Sequence, residues 1–156
     1  LFSNNYTRAM IYNFISDNPG VQFRAICSGL GLSIGVVQFH LNWLQKTGLI
    51  SAIRLGKYKR FFITGKFTLK QMTLIALLRL KTVKTIFKSL LEGKQVSHHE
   101  LAAKLGISSQ GLTWQMNRLR QTGMVNENWD CMTVKYSVEK RYVQCLTSII
   151  LMLDTR

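Results

Sequence analysis

The sequence predicts a mostly helical α+β fold with small β-hairpins, built from two copies of one unit. Apolar residues recur at helical spacing in several segments, and short strand-like runs flank glycine-containing turns. The chain also repeats itself at an offset of 75 residues: "GLSIGVVQFHLNWLQKTGLI" (31–50) aligns without a gap with "GISSQGLTWQMNRLRQTGMV" (106–125), and six of twenty positions are identical. Such a repeat indicates two structural units.

The first copy predicts three helices followed by a hairpin. Ser33 is a suitable N-cap for the third helix, and Gly48 suits its left-handed end. Gly56 and Lys57 form a two-residue hairpin turn. The expected elements are helices over 5–17, 23–29 and the segment between Ser33 and Gly48, then strands over 49–55 and 58–64.

The second copy predicts the same order of elements. Ser97 and Glu100 form a capping box that starts its second helix. Two further helices are expected outside the repeated core, one connecting the copies and one closing the chain. The expected segments are helices over 82–92, from Ser97, over 108–122, 68–80 and 139–153, and a hairpin over 124–138.

Three helices and a two-stranded wing make a winged helix-turn-helix, so the sequence predicts two of these domains in tandem, joined by a helix. We expect the first domain over residues 1–66, the connecting helix over 67–80, and the second domain with its closing helix over 81–156. The closing helix either packs between the domains or forms a homodimer.

The third helix of the first copy carries a recognisable motif, His-Leu-x-x-Leu-x-x-x-Gly-Leu-Ile, from His40 to Ile50. This motif, with the following "GKYKRFF", resembles the ArsR-like winged-helix regulators common in archaea. The second copy keeps the motif loosely, with Gln115 in place of the histidine. The resemblance implies a DNA-binding transcriptional regulator, and some tandem regulators of this kind carry membrane segments upstream.

The charge balance points to an anionic partner. The chain has 21 Lys and Arg against 7 Asp and Glu, a net charge of +14. Such an excess destabilises a compact protein by self-repulsion, so an anionic partner is expected. Residues 1–66 carry 8 basic and 1 acidic residue, whereas residues 96–156 carry 7 and 5. We therefore expect the first domain to bind double-stranded DNA more strongly.

Third helices of this fold meet base edges through exposed residues near their N-termini. Glutamine and asparagine can pair with adenine, and valine can touch a thymine methyl group. In the second domain, we expect either that the third helix also contributes to DNA binding or that the domain binds protein instead. The candidates are Ser33, Gly35, Val36, Gln38, Asn42 and Lys46 in the first domain and Ser109, Gln110, Thr113, Asn117 and Arg118 in the second.

The first wing carries four cations, Arg54, Lys57, Lys59 and Arg60, with no acidic residue between Lys46 and Lys70. Lysine and arginine at a wing tip can neutralise phosphates and release counterions. The alternative is a merely solvated turn. The second hairpin instead contains acidic residues, which would repel phosphate.

Other segments allow two interpretations each. Lys81, Lys84 and Lys88 form a stripe that is either a solvated helix face or a phosphate track. His98 and His99 point about 100° apart on a helix, so we interpret them as polar surface residues rather than metal ligands. Phe39 and Trp114 hold equivalent positions, and we expect them at the edge of the core.

The sequence shows no paired acids, no nucleophile with its base and no metal cluster. It therefore indicates no enzyme, no cofactor and no small-molecule ligand. The three cysteines share no metal-type spacing and indicate reduced thiols in a cytoplasmic protein. The chain begins at Leu1, so a preceding segment, including a membrane tether, is left open. The alternative function is a protein–protein assembly module, which winged helices also serve.

Overall fold

The computed structural model describes residues 4–155 as a mostly helical chain with two small antiparallel sheets. The chain separates into two compact units, and the division lies between Leu77 and Leu78. The elements of the first unit are α1 (Asn4–Asp17), β1 (Val21–Gln22), α2 (Phe23–Leu30), α3 (Ile34–Lys46), β2 (Ile50–Leu55), β3 (Tyr58–Ile63) and α4 (Leu69–Leu78), whose last residue crosses the division.

The second unit repeats this order of elements. The equivalents of α1, β1, α2, α3, β2 and β3 follow one another, and a further helix closes the chain. They are α5 (Lys81–Gly93), β4 (Val96–Ser97), α6 (His98–Leu105), α7 (Ser109–Arg120), β5 (Val125–Asp130), β6 (Thr133–Val138) and α8 (Lys140–Asp154).

The two sheets share one topology, β1-β3-β2 and β4-β6-β5. Their registers differ by the 75-residue offset throughout: Val21 pairs with Phe61 as Val96 pairs with Tyr136. The repeat seen in the sequence is therefore a structural repeat. The sequence predicted two-stranded wings, and this was incomplete, because β1 and β4 each add a third strand. Two-residue strands are too short to show an alternating pattern.

The helix ends follow the predicted caps. Ser33 and Ser108 are the N-caps of α3 and α7, and each Oγ accepts a hydrogen bond from a backbone amide three residues on. Gly31 and Gly106 end α2 and α6 with φ of 64° and 65°, a left-handed conformation that suits glycine. These caps fix the angle of the turn before each third helix.

Each unit has its own apolar core. In the first unit the buried side chains come from α1, α2, α3 and the sheet, and Val37, Leu41 and Leu44 form the buried face of α3. In the second unit, α8 adds a buried face that includes Tyr142, Leu146 and Ile150. The opposite faces of α3 and α7 are left to solvent.

None of the helices described between residues 4 and 155 is by itself long and apolar enough to span a membrane. Helices α2 and α3 together have the length and composition, but the chain bends by 120° between them.

Candidate nucleic-acid interface

The exposed face of α3 carries the predicted base-contacting residues. Ser33, Gly35, Val36, Gln38, Asn42 and Lys46 are all exposed. The Ser33 cap leaves the first turn of α3 open to solvent, where the positive end of the helix dipole favours an anion. All six predicted helix residues are thus accessible to solvent.

Gln38 and Asn42 are already bonded to each other. Gln38 Nε2 donates a hydrogen bond to Asn42 Oδ1 at 2.8 Å, one turn along the exposed face. A bidentate pair with adenine uses both the amide oxygen and the amide nitrogen of one side chain. Because an amide oxygen has two lone pairs, Asn42 Oδ1 can accept from Gln38 and from a base together, so this bond orients the Asn42 amide without blocking it.

Three cations stand at the exposed end of the first wing, the hairpin of β2 and β3. Arg54 and Lys59 are directly opposite each other in the ladder, and Lys57 lies in the turn. Directly opposite side chains lie on the same face of the sheet, about 5 Å apart at Cβ. Among residues 4–155, none of the three forms an ion pair with a carboxylate. The tip is therefore an uncompensated cationic surface.

Arg60, the fourth predicted wing cation, does not belong to this surface, and that prediction is corrected. Its side chain is 5% exposed, and Nη1 donates to the Gly20 carbonyl at 3.0 Å. Burial lowers the pKa of its guanidinium. Arg60 lies far enough from the tip for the segment leading into β1 to cover it. It binds backbone and is closed to a phosphate.

The aromatic residues of the third helices are more exposed than predicted. Phe39 is 56% exposed and Trp114 is 59% exposed, so neither is a core-edge residue. Arg118 stacks on Trp114, with its guanidinium carbon 4.8 Å from the ring centroid. In the first unit Arg8 holds Trp43 similarly at 3.7 Å. Both helices thus present an aromatic surface to solvent.

The predicted residues of α7 also lie outside the core of the second unit. Ser109, Gln110, Thr113 and Asn117 are exposed, and Arg118 is half-buried. Some of these side chains form hydrogen bonds within the domain. Thr113 Oγ1, for example, donates to the Ser109 carbonyl at 2.9 Å. The exposed polar side chains of α7, like Gln38 and Asn42 of α3, are thus partly engaged within the protein.

The second wing, the hairpin of β5 and β6, differs from the first. Of the two acidic residues in this hairpin, Glu127 does not stand at the tip but accepts a hydrogen bond from Arg120 of α7 at 3.0 Å. Asp130 is exposed beside the turn. The positions of the three exposed cations of the first wing hold Trp129, Met132 and Val134 in the second, while Lys135 stands at the position of the buried Arg60.

The lysine stripe on α5 is neither a simple solvated face nor an open track. Lys84 forms a close ion pair with Asp154 of α8, and Lys88 pairs with the same carboxylate at 2.6 Å. Hydrogen bonds from these two lysines lower the pKa of Asp154. The stripe is therefore partly neutralised within the second unit.

His98 was interpreted as a surface residue, and this is corrected. Its Nδ1 lies 2.8 Å from the Tyr136 hydroxyl, and its Nε2 lies 3.0 Å from both the carbonyl and the hydroxyl of Ser109. A carbonyl can only accept, so Nε2 carries a proton, and in the neutral imidazole Nδ1 accepts from the phenol. Burial, followed by the nearby Glu127, raises the pKa of Tyr136, which keeps that phenol protonated.

Sequence reasoning missed this network because its members are 11 and 38 residues apart. The repeat contains the signal that could have found it. At the 75-residue offset the first copy is apolar at all three positions: Phe23 for His98, Ile34 for Ser109 and Phe61 for Tyr136. Three simultaneous changes from apolar to polar indicate a contact.

His40 is buried in α3 and is 2% exposed. Burial lowers the pKa of its imidazole, and the positive charge of Arg8 lowers it further. Its ring edge meets Phe39 at 5.1 Å between centroids. Across residues 4–155, no three His, Cys, Asp or Glu side chains come together to hold a metal ion.

Two family models match the chain in succession. Residues 5–74 match a model described as an N-terminal HTH domain, and residues 79–126 match one described as winged helix-turn-helix DNA-binding. The chain carries two winged helix-turn-helix domains in tandem. The predicted fold class is thereby confirmed, while the ArsR-like subtype remains a resemblance. Both descriptions are of helix-turn-helix domains, a class whose members are not typically enzymes.

A curated relative covers most of both winged helix-turn-helix domains. It is an uncharacterized HTH-type transcriptional regulator of Methanocaldococcus jannaschii, MJ1398, with 26% identity over 137 residues. The match covers 87% of this chain but 34% of the relative. The chain thus spans about a third of the length of that protein.

Two solved structures are similar to the tandem domains at low TM-scores. Streptococcus pneumoniae FabT in complex with DNA has a TM-score of 0.37 and 22% identity, covering 74% of this chain and 76% of its own. ScpB from Mycobacterium tuberculosis has a TM-score of 0.33 and 11% identity, covering 94% and 98%. Scores this low do not establish a common arrangement of the domains.

Proposed function

We propose that this chain is a double-stranded DNA-binding transcriptional regulator in which the first domain makes most of the DNA contacts. The observation that carries the proposal is the trio Arg54, Lys57 and Lys59, which is exposed and without a carboxylate partner among the described residues. The family descriptions and the regulator relative support the same function.

In the proposed complex, α3 lies in the major groove and the first wing reaches the phosphate backbone. Val36, Gln38 and Asn42 then face base edges, and the three wing cations neutralise phosphates. No arginine is present at the front of α3 to read guanine. Direct readout is therefore limited, and backbone contacts supply much of the affinity.

The second domain makes a smaller contribution in this proposal. Ser109, Gln110, Thr113, Asn117 and Arg118 would meet DNA through α7. The second wing would contribute little, because apolar residues replace the cations at its tip. Phosphate contacts are therefore expected to be concentrated in residues 1–66, the first predicted domain.

The test is a titration of random duplex DNA, followed by fluorescence anisotropy at about 50 and 200 mM salt. The combined variant Arg54→Gln/Lys57→Gln/Lys59→Gln loses three positive charges. Three lost phosphate contacts should make the affinity about 40-fold less sensitive to this change in salt, since each contact contributes about 0.9 to the slope.

The matched control is Trp129→Glu/Met132→Glu/Val134→Glu, which changes the net charge equally at the equivalent positions. We expect its salt dependence to remain close to that of the unmodified chain. If both variants weaken binding alike, net charge rather than the first wing carries the affinity. If neither changes it, the assembly-module alternative is favoured.

A homodimer through α8 is a further part of the proposal. Val143 and Leu151 are exposed apolar residues on the solvent-facing side of this helix, at 40% and 60%. Sedimentation equilibrium should show a dimer that Leu151→Glu converts to a monomer. A chain that is monomeric without the substitution would remove this part while leaving the DNA contacts unaffected.

A further inference from the structure

The second domain contains an open groove between α6 and the second wing. Its volume is about 550 Å³. Most of its wall is apolar, with one side supplied by the helix and the turn after it and the other by the wing. The apolar lining residues are Ala102, Ala103, Ile107, Trp129, Met132 and Val134.

The wing side of this groove is built at the positions that carry charge in the first domain. Each exposed cation of the first wing has an apolar counterpart at the 75-residue offset: Trp129 for Arg54, Met132 for Lys57 and Val134 for Lys59. All three replacements line the groove. The second wing therefore lines the groove with apolar side chains where the first wing carries exposed cations.

The polar end of the groove is held rigidly. His98 connects α6 to the Tyr136 hydroxyl of β6 and to Ser109 at the start of α7. Because both ring nitrogens are engaged, the three elements are fixed relative to one another. The first domain has Phe23, Phe61 and Ile34 at these positions and cannot make these bonds. Because the polar end of the groove is already rigid, less conformational entropy is lost when a ligand binds there.

We propose that this groove binds an uncharged, mostly apolar small molecule with a flat ring and one hydrogen-bonding group. Within the part of the chain that the structure describes, no Lys, Arg, Asp or Glu lines the groove, so a charged ligand would lack a counter-charge. Its volume is within the range of about 300–1,000 Å³ for small-molecule sites. The indole of Trp129 offers a stacking surface, and His99 and Thr133 offer polar groups.

This site goes beyond the proposed DNA binding. The residue pattern of the sequence alone indicated no small-molecule ligand. The site becomes visible only when the two wings are compared position by position in the folded domains. A ligand between α6 and the second wing would contact the recognition-helix side of that domain through Ser109.

The test uses 2-naphthol, an uncharged flat probe with one hydroxyl group, titrated by calorimetry into the full chain without DNA. We expect saturable one-to-one binding. Ala103→Trp, which fills the groove from the exposed face of α6, should weaken it at least 10-fold. Ser28→Trp places the same side chain at the equivalent position of the first domain and should change the affinity less than twofold.

Two further readouts keep the test decisive. In the unmodified chain, the ¹³C-methyl signal of Met132 should shift on titration while that of Met72 stays in place, which requires no variant to fold. 2-Naphthalenesulfonate, the same ring with a fixed charge, should bind at least 10-fold more weakly than 2-naphthol.

The proposal is overturned by the absence of saturable binding or of a Met132 shift, by equal weakening in the two tryptophan variants, or by equal affinity for the sulfonate. Self-association of the chain that Ala103→Trp abolishes would also overturn it, because a second copy would then occupy the groove. Since DNA is absent, each of these results is separate from a failure of the proposed DNA binding.

Discussion

Arg54 and Lys59 lie directly opposite each other across the two strands of the first wing, on one exposed face. Like charges at opposed positions of a ladder destabilise a hairpin. Neither side chain has a carboxylate partner among residues 4–155 that would relieve the repulsion. The arrangement is unfavourable in the free protein and becomes favourable when an anion lies over the wing.

This pair predicts a conflict between stability and binding. Arg54→Gln should raise the free energy of unfolding by about 0.2–1 kcal/mol, since it removes the opposed charge, and should weaken DNA binding. Urea unfolding and DNA anisotropy measure the two effects. For the unfolding measurement alone, Lys46→Gln is the control: it removes an equal charge from the last turn of α3, where lysine favours the helix dipole, and should not stabilise the protein. A destabilised Arg54→Gln protein would contradict the interpretation.

Arg60 should behave oppositely to its neighbour Lys59. Arg60→Ala removes the hydrogen bond to the Gly20 carbonyl and the packing of a buried side chain, so we expect a loss of about 2 kcal/mol in the free energy of unfolding. Lys59→Ala should cost little stability but should lower the salt dependence of DNA binding. Equal effects of the two substitutions on unfolding would argue against the burial of Arg60.

The turn of the second wing contains a strained residue. Cys131 has φ of 55°, and Gly56 holds the equivalent position in the first wing with φ of 63°. A residue with a Cβ disfavours this conformation by about 1 kcal/mol. Cys131→Gly should therefore stabilise the protein by roughly that amount, measured by urea unfolding.

The reciprocal change provides the control. A Cβ added at Gly56 would meet no atom within 4 Å, so Gly56→Ala tests the backbone conformation without a steric clash. We expect it to destabilise the protein by about 1 kcal/mol. If both substitutions left the unfolding free energy unchanged, the two turns would not be conformationally equivalent.

His40 predicts a dependence of stability on pH. Because burial and Arg8 lower the pKa of its imidazole in the folded state, the unfolded chain binds the proton more readily. The stability that neutral His40 contributes is present above its unfolded pKa of about 6.5 and is lost as the pH falls from there through the lowered folded pKa. Thermal unfolding at pH 7.5 and 5.5 measures the loss.

The matched variant is His40→Gln, which installs the residue found at position 115 of the second copy. The drop in melting temperature between pH 7.5 and 5.5 should be smaller in His40→Gln than in the unmodified chain. An unchanged drop would mean that other groups account for the pH dependence.

The order of helices and strands could be predicted from the sequence, because the same pattern occurs in both copies of the repeat. The caps at Ser33 and Ser108 and the hairpin turn at Gly56 depend on residues within a few positions of each other, and local patterns specify them. Local patterns do not specify the two-residue strands β1 and β4, because their pairing is determined by partners about 40 residues away.

The candidate interface was predictable in its helix and less so in its wing. Strand alternation places Arg60 and Tyr58 on the same face of β3. Only the folded structure shows that Arg60 is buried against the Gly20 carbonyl while Tyr58 stays exposed. Asp154 reaches Lys84 and Lys88 from a helix that begins more than 50 residues later. No charge pattern along the chain reveals such a partner.

The central claim is that the first wing neutralises DNA phosphates, and the most direct measurement is the slope of log K against log salt concentration for one charge. Lys59→Gln should reduce the magnitude of that slope by about 0.9. Lys104→Gln removes an equal charge from the second domain, at a lysine paired with Glu92 at 3.5 Å, and should leave the slope unchanged. An unaltered slope for Lys59→Gln, or an equal reduction in both variants, would contradict the account.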